Sequence, residues 1–334
     1  MDLITGATGI VGLHLLHELT SAGERVRALW RKNTDLSIVE RVFRHYTPDP
    51  QPLLDRIEWV EGELHDVESL KDAMEGVDRV YHAAAMVSFA PADRKELFRV
   101  NTAGTANIVN AALIKGVKRI CHVSSTAAIG KAEPGVERHE GLPWASDRNT
   151  SPYAASKYAA ELEIYRGIAE GLDAVIVNPC IIIGPGMPGR STMTLIEKMR
   201  RGMRFYPPGS NAVVDARDVA ACMRLLMEKG PTGERYLLVG ENVSYQRLFT
   251  EFAKGFGNKP PSIPLSPAML QIGWRLERLR TFFGGKPFIT RATAHTGIIQ
   301  RRFSNAKVKA ELGYEFRGVG EMVRNVVGYM DNFP

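Results

Sequence analysis

The chain has little of what would mark a secreted, membrane-spanning or metal-built protein. Three cysteines, Cys121, Cys180 and Cys222, are spread over 334 residues, each in an apolar context. They match no zinc-ligand spacing and offer no disulfide framework. Buried free thiols in a reducing, cytoplasmic compartment are therefore expected, with no metal. No apolar run reaches the roughly 18 residues of a membrane span. The first strand begins almost at Met1, so no signal peptide is expected. Repeats, low-complexity tracts and nucleic-acid-binding motifs are absent from the sequence.

What is there is ordinary in bulk. Hydrophobic residues make up 44% and charged residues 24%, as in a soluble globular protein. The length allows one large core, or one domain with a smaller lobe. The net charge of +6 is uneven: residues 1–180 carry −5 and residues 181–334 carry +11. A basic second half suits an anionic substrate, an acidic surface or merely solvated faces.

The chain is organised around its first dozen residues. Asp2 to Thr5 reads as a short buried strand. Thr5-Gly6-Ala7-Thr8-Gly9-Ile10-Val11-Gly12 follows, and Leu13 to Leu19 continues as a helix. Gly6 permits the tight turn, Gly9 lets the backbone approach a pyrophosphate, and Gly12 lets helix and strand pack closely. The free amides and positive dipole end of the helix then face phosphates. A second strand, Val26 to Trp30, lies at βαβ distance.

Apolar strands then alternate with helices. Leu36 to Phe43 suggests a short helix inside an excursion from 33 to 56. Strands follow at Ile57–Val60, Asp78–His82, Arg119–Ser125 and Asp173–Asn178. A helix from Ser151 to Ala169 precedes the last of these. This alternation predicts an α/β fold with a parallel, doubly wound sheet. Residues 1–180, completed by 211–240, should bind the dinucleotide. Residues 181–210 and 241–334 should form a smaller, mostly helical substrate lobe.

The Gly-x-x-Gly-x-x-Gly loop opened by Thr-Gly, together with Tyr153-x-x-x-Lys157, resembles the extended short-chain dehydrogenase/reductase family, within the NAD-dependent epimerase/dehydratase superfamily. The resemblance covers nearly the whole chain and is least specific in the tail. Asp66 matches a family aspartate that contacts adenine, and it is equally placed to cap the helix after it. His82-Ala83-Ala84-Ala85 resembles the element beside the cofactor diphosphate and ribose. Asn101 matches a helix asparagine that is structural or part of a proton relay, although a plain polar residue is an open alternative. Thr5, Thr8, Ile10, Val67, Pro179 and Ile182 complete the implied cofactor contacts. The resemblance further implies a cytoplasmic homodimer.

Beyond Trp30 the strand end carries Arg31 and Lys32, where NAD-selective relatives place an acid. Two cations without a carboxylate suit a 2′-phosphate, so NADP is favoured, with NAD possible and simple solvent exposure as the alternative. Tyr153 and Lys157 lie four apart, on one helix face. A free tyrosine has a pKa near roughly 10, and the ammonium is expected to lower it. Ser125 ends a neighbouring strand, five residues before Gly130 as in the family pattern, and would bond the same substrate oxygen. Ser125, Tyr153, Lys157 and Asn101 are the catalytic candidates. By the resemblance, Tyr153 and Lys157 also hold the nicotinamide ribose.

This set gives hydride transfer at a carbon bearing oxygen. Sister enzymes epimerise or dehydrate nucleotide-sugars. Here Asn178 stands where they usually place Arg, Asn211-Ala212-Val213-Val214 replaces an Arg-Asp-aromatic stretch, and Thr126-Ala127 replaces Asp-Glu. The closest likeness is the dihydroflavonol 4-reductase and 3-beta-hydroxysteroid dehydrogenase branch. Met86, Phe89, Met187, Met193 and Phe205 suit an apolar pocket or, alternatively, core and lid packing. Two other readings stay open. One is a non-catalytic NADP-sensing regulator. The other is a membrane-surface helix from Leu265 to Phe283, which carries Arg275, Arg278 and Arg280.

Overall fold

The computed structural model describes residues 1–133, 135–282 and 290–333. Twelve strands are found among the described residues. They are β1 (Asp2–Thr5), β2 (Val26–Trp30), β3 (Ile57–Glu61), β4 (Arg79–His82), β5 (Arg119–Val123), β6 (Asp173–Pro179), β7 (Ile181–Ile183), β8 (Phe205–Tyr206), β9 (Ser210–Asp215), β10 (Arg235–Leu238), β11 (Glu241–Ser244) and β12 (Ile263–Pro264).

Seven of them form one parallel sheet in the order β10-β6-β5-β4-β1-β2-β3. The reason lies in alternation along each strand. In β1, Leu3 packs with Val80, Ile120 and Ile164 on one face, while Ile4 joins Leu13, Leu16 and Tyr81 on the other. Both faces are covered by helices, so the strand centres are largely apolar on both sides. The helix Ile10–Ser21 packs against Ala216–Lys229 on one side. Helices Gly104–Lys115 and Pro152–Ala169 pair on the other. The strand order reverses between β1 and β4, which opens a crevice at their carboxyl ends.

The second half differs from a simple completion of that sheet. β10 joins it beside β6, but β9 pairs with β7 and β11 in a separate three-stranded sheet. β8 and β12 pair in a further two-stranded one. From residue 245 the described chain is mostly helical. The expected surface helix corresponds to Pro267–Phe282, whose Met269, Ile272 and Leu276 are exposed; Phe283 lies outside the described residues. No helix among the described residues is long and apolar enough to cross a membrane. All three cysteines are free and buried, and burial pushes the Cys121 thiol up to about 12.

Three buried histidines tie the fold to pH. Burial lowers His14 to about 4 and His82 to about 3, and His122 falls well below its ordinary value. The native state keeps these rings neutral, while the unfolded chain takes up protons below the usual histidine pKa near about 6.5. Stability is therefore full above that pH and is lost as pH falls toward the native values. At pH 5 His14 and His82 each cost roughly 2 kcal/mol relative to pH 7. Thermal melts should show Tm falling steadily from pH 7 to 5. A flat Tm across that range would count against neutral burial of the three rings.

Candidate active site

The glycine loop is shaped by backbone contact. Gly6 has φ of +71°, and an added Cβ would lie 2.6 Å from the Ala84 nitrogen. A Cβ on Gly12 would run into the Gly6 carbonyl oxygen. Gly9 caps the helix Ile10–Ser21 with no side-chain bond to its first amides. Those amides remain available to a ligand. By contrast, Asp66 accepts from Ser69 N–H at 3.2 Å and caps the next helix, as its sequence reading allowed. Val67 opens that helix.

Behind the loop runs a chain of buried bonds. Ala84 N–H donates to Thr5 Oγ1 at 3.3 Å, and Thr5 Oγ1 lies 2.7 Å from His82 Nδ1. His82 Nε2 lies 3.0 Å from Thr105 Oγ1, which donates to the Asn101 carbonyl at 2.6 Å. With Thr105 already donating, His82 Nε2 carries the proton and Nδ1 accepts from Thr5. Ala83 and Ala84 are half-buried and Ala85 is exposed. Asn101 sits in a π-helical turn, Arg99–Ala103. Its side chain accepts from Met86 N–H at 2.7 Å and donates to Met86 O and Ser156 Oγ, each at 3.0 Å. It thus clamps the Met86 segment to the helix that bears Tyr153.

Ser151 caps that helix and Pro152 begins it, which fixes where its first turn lies. Lys157 is fully buried, and its Nζ donates to Val123 O at 2.8 Å, at the end of β5. Tyr153 is half-buried, with Phe89 edge-on at a ring separation of 5.7 Å. Ser125 follows β5 and caps the turn Thr126–Ala128 through Ala127 N–H at 3.1 Å. Ser125 lies near enough to Tyr153 to oppose the rise in its pKa.

The protonation pattern corrects one expectation. Burial raises the Tyr153 pKa, and Ser125 only partly opposes it. Lys157 falls to about 8 through burial, against the pull of Glu161. Lys157 is turned to the Val123 carbonyl, so desolvation of the phenol dominates over any ammonium effect. Tyr153 is a phenol at neutral pH, not a phenolate.

Other expected residues fall in different places. Arg31 and Lys32 are exposed past β2, before Asn33 with φ of +67°. Pro179 ends β6, and Ile182 is half-buried in β7. Met86 and Met187 are half-buried, and Phe205 is 40% exposed on β8. Met193, expected in the pocket, is 2% exposed and packs in the core; a Cβ on Gly186 would lie 3.5 Å from its Cγ.

Sequence reading missed Glu161. It is fully buried one turn beyond Lys157, where its Oε1 accepts from Asn178 Nδ2 at 2.6 Å and its Oε2 from Arg235 at 3.2 Å. Asn178 also donates to the Ser125 carbonyl at 3.0 Å. The i, i+4 spacing from Lys157 was the available signal.

The NAD dependent epimerase/dehydratase family matches residues 3–238. The chain belongs to that family. It is an NAD(P)-dependent oxidoreductase of the extended short-chain class. Over 271 residues it is 34% identical to sterol demethylase protein B of Methylococcus capsulatus, covering 80% of this chain and 78% of that one. It is 31% identical over 337 residues to a Synechocystis protein provisionally named dihydroflavonol 4-reductase, covering 98% and 94%. A crystal structure titled gox2253 matches with a TM-score of 0.81 at 31% identity, covering 99% of this chain and 98% of that one. Within the family, the likeness to a dihydroflavonol reductase agrees with the branch expected from the motifs.

Proposed function

We propose that the protein uses NADP(H) to reduce or oxidise a carbonyl or carbinol on a largely apolar small molecule. The observation that carries this reading is the junction of Ser125, Tyr153 and Lys157 where β5 ends against the Pro152–Ala169 helix. The residues present fit a dinucleotide: the backbone contacts at Gly6 and Gly12 leave room for no side chain, and the helix start is uncapped. Gly6, Gly9 and Gly12 would hold the diphosphate, with Arg31 and Lys32 at the ribose phosphate. The cofactor supplies or accepts the hydride.

The chain's own residues handle the oxygen. Tyr153, protonated at neutral pH, donates its proton to the carbonyl oxygen as charge develops there. Ser125 donates a hydrogen bond to the same oxygen. Lys157, held at the Val123 carbonyl, carries a positive charge at neutral pH. A phenol at rest suits the reductive direction.

Fluorescence titration should show NADPH bound at least tenfold more tightly than NADH, since one charge-assisted phosphate contact is worth about 1.5–3 kcal/mol. Arg31→Asp should flatten or reverse the preference. Equal affinities in the parent protein would remove the NADP assignment. For substrate, NADPH consumption would be screened against ketones, flavonoids, steroids and aldehydes, beside mass analysis of nucleotide-sugars. Conversion of a nucleotide-sugar with no net cofactor use would replace this reading with epimerisation. A homodimer is the assembly proposed here for the chain, which sedimentation would test.

A further inference from the structure

Among the described residues, two arginines far apart in sequence meet without a counter-charge. Arg138 forms an isolated parallel bridge with Phe303. Arg138 N–H donates to Arg302 O at 2.9 Å, and Ser304 N–H donates to Arg138 O at 2.8 Å. In extended backbone, alternate side chains share a side. Glu137 and Arg302 pair with each other at 3.1 Å on one side. Arg138, Phe303 and Arg301 fall on the other, where the Arg138 guanidinium lies 5.6 Å from the centre of the Phe303 ring. Both arginines are half-buried. Among the described residues neither makes an ion pair, and the buried Arg301 Nε has no hydrogen-bond partner.

Such an arrangement is costly. Buried charges in folded proteins are normally paired, and like charges brought together repel. Burial and the neighbouring Arg301 push Arg138 down to about 10, and burial also lowers Arg301. Arg301 is nevertheless held in place: its N–H donates to Ser210 Oγ at 2.9 Å, and Ser210 Oγ donates to Arg301 O at 3.1 Å. Phe303 is fixed to Asn242 by a reciprocal pair at 2.8 and 2.9 Å. Ser210 begins β9, and Asn242 lies in β11, its neighbour in the three-stranded sheet. The two arginines are therefore held beside the smaller, three-stranded sheet.

We propose that Arg138 and Arg301 form an oxyanion-binding site that takes a carboxylate or phosphate group. The anion supplies the missing counter-charge and accepts from the guanidinium forks, including the orphaned Nε. The two sources of such a group are the anionic end of an otherwise apolar substrate and free phosphate. The first source rests on the function proposed above; the site itself does not.

The test is direct binding to the whole protein, without turnover. Isothermal titration would use inorganic phosphate, acetate and decanoate at constant ionic strength. The parent protein should bind at least one of them saturably, and Arg301→Met and Arg138→Met should each weaken that binding at least tenfold. Decanoate binding more tightly than acetate identifies the end of an apolar substrate. Phosphate binding more tightly than both identifies free phosphate. Thermal melts separate loss of the site from loss of the fold. In anion-free buffer each variant should melt at or above the parent Tm, because a repulsive pair has been relieved. No saturable binding, or binding unchanged in both variants, would overturn the site. So would variants that melt well below the parent with and without anion, since the arginines would then be structural.

Discussion

Tyr153→Phe should reduce turnover at least about a hundredfold on whichever carbonyl substrate the screen identifies, while NADPH binding stays near that of the parent. The change removes one oxygen and leaves the ring, so the edge contact with Phe89 persists. Only the proton donor is lost, and a positioned acid or base contributes about 10²–10⁴-fold. The parent enzyme's own pH profile should agree. Lys157 has been brought down to about 8, so its positive charge, present below that pH, is lost as pH rises through it. Reductive turnover should decline over the same interval. Stopped-flow measurement of hydride transfer would isolate the step from product release. A variant with near-normal hydride transfer would exclude Tyr153 as the acid.

Gly12→Ala should damage the protein more than most single methyl additions. The added carbon meets the Gly6 carbonyl oxygen and lies 2.6 Å from the Ala7 Cα. These are backbone atoms at the base of the phosphate loop, so no rotamer change relieves them. Overpacking of this kind costs about 1–3 kcal/mol, and a rigid backbone neighbour puts the cost at the top of that range or above. Tm should fall by several degrees, and NADPH affinity should fall at least tenfold because the loop must shift to make room. Gly9→Ala is the internal comparison: its added carbon meets only the Gly6 oxygen, at 3.2 Å, and should cost less stability. Equal stability in both variants would show that the Gly12 contact is easily relieved.

Much of this architecture was legible in the chain because it is written locally. The run Asp2 to Gly12, the capped start at Ser151 and the four-residue step from Tyr153 to Lys157 each depend on neighbours in sequence. The short helix near Phe43 and the strand at Ile57 were equally visible from their apolar periods. What stayed hidden depends on register between distant segments. Nothing near residue 213 announces that β9 leaves the main sheet to pair with β7 and β11. The phenol of Tyr153 was misjudged because spacing reveals a lysine nearby but not where its ammonium turns. Met193 has the right chemistry for a pocket wall, but long-range packing buries it. Arg138 and Arg301 become neighbours only through a bridge between segments more than a hundred residues apart in sequence.

The place of β10 has a consequence for synthesis on the ribosome. The main sheet ends at β6 on that side until Arg235–Leu238 has emerged and paired. Translation runs at about 5–20 residues per second, so the nascent chain carries an open, apolar strand edge for seconds. Val175, Ile176 and Val177 stand in that edge strand, all fully buried once folding is complete. A message truncated just before Arg235 would leave the edge open permanently, in a polypeptide that already holds Ser125, Tyr153 and Lys157. Such a fragment is a natural client for chaperones and a poor candidate for a minimal catalytic unit.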